Sequence, residues 1–135
     1  MSALPKTRMS VDEYLAWVES RLGRYELSDG AVVAMSPEGA AHAERKAAAH
    51  AALLASIRAH RLPCHALPDG MTVRIDDSTA YEPDALVYCG AKLAPSAVEV
   101  PNPVIVVEVL SPLTRAIDLS VKLATIFACR ASLIT

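Results

Sequence analysis

Glu108 lies inside Val104-Ile105-Val106-Val107-Glu108-Val109-Leu110, the most apolar run of the chain. The β-branched residues, with Pro103 and Pro112 at the flanks, predict a buried strand that is central in a sheet. An ionised carboxylate buried there costs several kcal/mol, against a total stability of roughly 5–15 kcal/mol. A cation, a partner network or a function that needs the charge must offset that cost. A second acid, Asp84, opens the preceding apolar run Pro83-Asp84-Ala85-Leu86-Val87-Tyr88, and Lys122 follows on a predicted helix. Two strand-borne acids and a lysine suit metal-dependent phosphodiester hydrolysis. That reaction needs an activated water, charge compensation on the phosphate and a stabilised leaving oxygen, much of which a carboxylate-held divalent ion supplies. Mg²⁺ takes octahedral oxygen ligands, few of them from protein. Asp84, Glu108 and the backbone carbonyl of Val109 would make such a corner, and a lysine would orient the water or neutralise developing charge. Without a cation, two close carboxylates repel and one tends to stay protonated.

Each of these residues has a plainer reading. Glu108 could be a core carboxylate paired with Arg74 or Arg115, and Asp84 the polar start of a strand after a proline. Lys122 could be a solvated helix residue in an i,i+4 pair with Asp118. Glu26 alternates with Tyr25 and Leu27 and could face solvent, and His42 could be a surface histidine early in its helix. His50, His60 and His65 lack zinc-site spacing. Ser111 lacks a nucleophile-elbow context, and no Gly-rich phosphate loop occurs.

The elements that must position these residues follow from pattern. Ser10-Val11-Asp12-Glu13 reads as a capping box, with Met9 and Tyr14 as its staple. Val11, Tyr14, Leu15, Val18 and Leu22 share one helical face that Gly23 ends, leaving Trp17 off the stripe. Asp29-Gly30 between two apolar runs predicts a β-hairpin. An alanine-rich helix spans about 40–62, stopped by Pro63. Short strands are expected at 64–67, 71–75 and 84–88, with a turn at 76–79 and a loop at 90–102. A helix is expected over about 115–130, and the last five residues are either a returning strand in miniature or leave a sheet edge exposed. The order predicts an α/β or α+β domain, a central mixed sheet flanked by helices.

At 135 residues the chain is read as one domain, and 53% hydrophobic residues exclude disorder. No apolar run approaches the roughly 20 residues that span a bilayer, and no signal core follows Met1, so a cytoplasmic protein is expected. Cys64, Cys89 and Cys129 lack C-x-x-C spacing and read as reduced thiols, small buried hydrophobes rather than ligands. The net charge of −2, with 13 basic residues scattered along the chain, argues against tight, sequence-independent nucleic-acid binding. An aromatic content of 4% argues against base-stacking platforms.

Pro83-Asp84, Glu108-Val109-Leu110 and Lys122 resemble the PD-(D/E)XK nuclease pattern, with Leu110 where the short motif expects lysine. Tyr25-Glu26-Leu27 with Asp29-Gly30, Met35-Ser36-Pro37, His42, Glu108-Val109-Leu110-Ser111-Pro112 and Asp118 before Lys122-Leu123-Ala124 extend the likeness. This ordered set, over most of the chain, is similar to the Uma-type family of restriction-endonuclease-like proteins, in which the lysine has moved to the following helix. The resemblance implies a restriction-endonuclease-like fold and a Mg²⁺-dependent (or Mn²⁺-dependent) deoxyribonuclease acting on DNA, and because duplex cleavage needs two sites a homodimer is expected. It implies Asp84 and Glu108 as metal ligands, Lys122 as the catalytic lysine, Glu26 as a further catalytic acid and His42 as an auxiliary. Family members continue past the lysine helix into a further strand region, which residues after Phe127 do not match. The competing expectation is therefore an inactive nuclease-fold protein that binds or oligomerises.

Overall fold

The computed structural model describes residues 4–5, 7–110 and the backbone of 132–134. The expected helix over 115–130, with Arg115, Asp118, Lys122 and Cys129, lies outside the described residues.

Helix α1 (Val11–Val18) opens on the expected capping box: the Glu13 amide donates to Ser10 Oγ (3.2 Å) and the Ser10 amide to Glu13 Oε1 (3.1 Å). It is one turn shorter than the apolar stripe suggests, and Leu22 is left exposed. Val11 and Tyr14 are buried against Leu27, Val32 and Ala80. Trp17, off that stripe, packs edge-on against Tyr25 (5.0 Å between centroids), with the Arg21 guanidinium over its ring.

Strands β1 (Tyr25–Ser28) and β2 (Ala31–Ala34) form the predicted hairpin. Its two turn residues both have positive φ, 46° at Asp29 and 79° at Gly30, the conformation that Asp-Gly adopts at low cost. Helix α2 spans Ala40–Ala59, ending three residues before the expected limit. The next strands are β3 (Cys64–Pro68), β4 (Val73–Asp76), β5 (Thr79–Tyr81) and β6 (Ala85–Cys89), followed by β7 (Pro103–Val107) and β8 (Ser132–Ile134). β5 falls partly on the expected turn. It has three residues, too few to show alternation, and all three are buried.

The strands divide between two four-stranded sheets rather than one. The first, β2-β1-β5-β4, is antiparallel throughout; the second, β3-β6-β7-β8, is antiparallel except for the parallel β7–β8 pair. The sheets meet through Val73 of β4 against Leu86 and Tyr88 of β6, and through Tyr81 of β5 against Val106 of β7. The loop at 90–102 is pinned by a bridge between Thr72 and Glu99, which carries Val100 into this core. Ser132–Ile134 runs beside β7, the first of the two expectations for the chain's last residues. Helix α2 packs on β3 and β6, yet of its residues only Lys46 is buried. No helix among the described residues is long and apolar enough to cross a membrane.

The cysteine expectation is corrected. Cys64 and Cys89 are directly opposed across β3 and β6 and form a disulfide, and Cys89 is exposed rather than buried. The two stand 25 residues apart, so only strand register brings them together.

Candidate active site

Pro83 and Asp84 directly precede β6, and Glu108 directly follows the last residue of β7. The register pair Ala85↔Val107 ends the ladder, so both acids lie at the same end of two adjacent strands. Each is 6% exposed. The Asp84 amide donates to the Val107 carbonyl (2.9 Å), and Asp84 Oδ2 accepts from the Val109 amide (2.6 Å). Like charges placed across an antiparallel pair destabilise it unless something compensates. Arg74, one arginine considered for Glu108, is instead held by Glu99 (2.8 Å) and Asp12 (2.7 Å).

His42 meets this corner from α2. Its Nε2 lies 2.8 Å from the Val109 carbonyl and 4.0 Å from Asp84 Oδ2, while its Nδ1 lies 2.7 Å from Glu38 Oε2. A carbonyl and a carboxylate are both acceptors, so in this arrangement both ring nitrogens donate. Burial pulls the imidazole pKa down, but Glu38, the Val109 carbonyl and Asp84 outweigh it and raise it.

Behind His42 the polar chain continues. Lys46, one turn further along α2, bridges Glu38 Oε2 (2.7 Å) and Asp69 Oδ2 (2.6 Å). Arg24 Nη1 meets the same Asp69 oxygen (2.8 Å), and its Nη2 meets Glu82 (3.0 Å). The Glu82 amide donates to Glu26 Oε2 (2.7 Å), so Glu26 reaches the connector that leads to Asp84 and does not simply face solvent. Burial raises the Asp69 pKa, but Lys46 and Arg24 prevail and hold it below the usual carboxylate value. Desolvation lowers that of Lys46, and Asp69 and Glu38 more than restore it. Glu38 is lowered mainly by its hydrogen bonds to Lys46 and His42. A cavity of about 340 Å³ opens here, lined by Arg24, Ser36, Glu38, His42, Lys46 and Asp84.

Of the residues singled out in the sequence, Asp84, Val109 and His42 make one connected arrangement, Glu108 adjoins it in the chain, and Glu26 joins through Glu82. Lys122 lies outside the described residues. Glu38, Lys46, Asp69, Arg24 and Glu82 were not anticipated. The four-residue spacing of His42 and Lys46 was a readable signal, since such positions share a helix face, whereas Glu38 precedes the N-cap Gly39. Asp69 was masked by its Pro-Asp-Gly turn context.

Two carboxylates and a carbonyl at one strand end are hard oxygen donors of the kind Mg²⁺ and Mn²⁺ take. The described residues hold no cluster of three or more acidic, histidine or cysteine side chains that would bind an ion unaided. An ion held by these oxygens would complete its shell with water.

A family model described as Uma2, putative restriction endonuclease, matches residues 11–128. The chain belongs to the Uma2 family. Its restriction-endonuclease-like α+β fold agrees with the arrangement above. It is also 30% identical over 123 residues to the uncharacterized protein slr1290 of Synechocystis sp., covering 84% of this chain and 60% of that protein. The chain thus spans about three fifths of the length of this relative.

Proposed function

We propose that this Uma2 protein is a metal-dependent endonuclease that hydrolyses DNA phosphodiester bonds. The observation that carries the reading is the pair Asp84 and Glu108, buried at one end of adjacent strands in a family described as "putative restriction endonuclease". Asp84, Glu108 and the Val109 carbonyl would hold Mg²⁺ or Mn²⁺, which when bound polarises the phosphate and acidifies a water. Glu26 adds negative charge near the metal-binding end, and His42 steadies the Val109 peptide. Lys122, by the family likeness, donates to the attacking water or the phosphate. The water oxygen attacks phosphorus, one P–O bond to a sugar breaks, and the departing oxygen takes up a proton. Cutting both strands takes two such centres, so the working unit is a homodimer. With a net charge of −2 the protein grips DNA through few phosphates, and binding is transient. A DNA substrate puts its work in the cytoplasm.

The test is conversion of supercoiled plasmid to nicked and linear forms with Mg²⁺ or Mn²⁺, by wild type, Glu108→Ala and Lys122→Met. Cutting that EDTA stops and both substitutions abolish is the expected result. Folded wild-type protein that leaves DNA intact would turn the reading to an inactive, binding or oligomerising nuclease fold.

A further inference from the structure

Lys46 is the only buried residue of α2, whose Leu53, Leu54 and Ile57 are half-buried. Burying a lysine costs several kcal/mol before its partners compensate, and alanine at that position would avoid the cost. Its two ion-pair partners are Glu38 and Asp69. Glu38 is equally placed for something other than helix formation. It immediately precedes Gly39, the N-cap of α2, which has no side-chain cap, and the Glu38 carboxylate turns to His42 and Lys46 instead. The same oxygen, Oε2, takes both cations, so the position of that oxygen sets where the imidazole sits.

His42 then acts on a residue whose N–H is already held by the site. The Val109 N–H donates to Asp84 Oδ2 and its C=O accepts from His42 Nε2. Both backbone polar groups of Val109, the residue after Glu108, are therefore directed, the N–H by an acid of the site and the C=O by the histidine. A histidine's free nitrogen is aimed by the partner of its other nitrogen, and losing such supporting groups typically costs about 10–100-fold in metal affinity or activity.

We propose that Glu38 is a positioning residue of the cleavage site, aiming His42 at the Val109 carbonyl and Asp84 while Lys46 and Asp69 brace it from behind. This rests on the nuclease reading above. Glu38 does not touch the reacting atoms. Its effect passes through the imidazole to the carbonyl that completes the oxygen ligand set.

The experiment compares wild type, Glu38→Gln and Glu38→Asp, with His42→Asn to assign the ring signals. It reads the ¹⁵N resonances of the His42 imidazole, Mn²⁺ affinity without DNA, and kcat and KM for plasmid cutting. Glu38→Gln should move the His42 resonances, weaken Mn²⁺ binding by about 10-fold or more and lower kcat while leaving KM for DNA unchanged. Glu38→Asp, which keeps the charge but withdraws it by one methylene, should fall between, and it serves if the glutamine variant does not fold. Wild-type ring resonances and Mn²⁺ affinity in both folded variants would overturn the proposal. Wild-type protein that neither binds Mn²⁺ nor cuts would remove the nuclease reading and this inference with it. That failure is distinguishable, because the ring resonances report the Glu38–His42 contact without metal or DNA.

Discussion

Asp69 shows how a residue with a bland sequence context can hold a site together. In Pro68-Asp69-Gly70 it has the composition of a turn, and turn chemistry explains it fully until Lys46 and Arg24 are seen on the same oxygen. Glu108 stood out for the opposite reason, since a charge inside an apolar run has no local explanation, and Asp84, which a strand start after proline explains, gained weight only through it. His42 and Lys46 were half legible, because i,i+4 spacing shows a shared face but not what faces it, and Glu38, before the helix N-cap, carried no such signal. The Asp69 carboxyl is held below its ordinary value, so its contribution is present above the unfolded-state value and is lost as pH falls through the folded one. Asp69→Asn should therefore cost at most about 1 kcal/mol at neutral pH, solvent screening limiting the pairs, and flatten the acid limb of the stability profile. Denaturant melts across the acid range check this, and parallel wild-type and variant limbs would refute it.

At the scale of elements, legibility followed the reach of the physical signal. The capping box of α1 and the Asp-Gly hairpin are decided within four residues, and both form as expected. The β4–β5 hairpin is as local, yet β5 escaped because three buried residues carry no period. The separation into two sheets depends on which strands become neighbours, and no single strand encodes that. The disulfide belongs to the same class: Cys64 and Cys89 have unremarkable neighbours in the chain and meet only through the β3–β6 register. With three cysteines and two of them joined, thiol titration of denatured, unreduced protein should find one reactive thiol per chain, and three after reduction. Three without reduction would contradict the pairing.

On the scale of the whole molecule, the family and its fold were readable because the motifs occur as an ordered set along most of the chain, from Tyr25-Glu26-Leu27 to Lys122. What the sequence could not show is how acid-rich the site is. Glu26, Glu38, Asp69, Glu82, Asp84 and Glu108 surround or adjoin it, against Arg24, Lys46 and His42. A phosphodiester brought to such a place meets repulsion unless a divalent cation intervenes, which is why the proposed nuclease reading includes a metal. A ligand that binds only the folded state stabilises it by mass action. The decisive measurement is therefore Mn²⁺ titrated into wild type and Asp84→Asn, followed by calorimetry and thermal melting. Wild type should bind Mn²⁺ and melt higher as its concentration rises, and Asp84→Asn should do neither. Equal melting with and without Mn²⁺ in folded wild-type protein, with no heat of binding, would contradict a metal centre at Asp84 and Glu108.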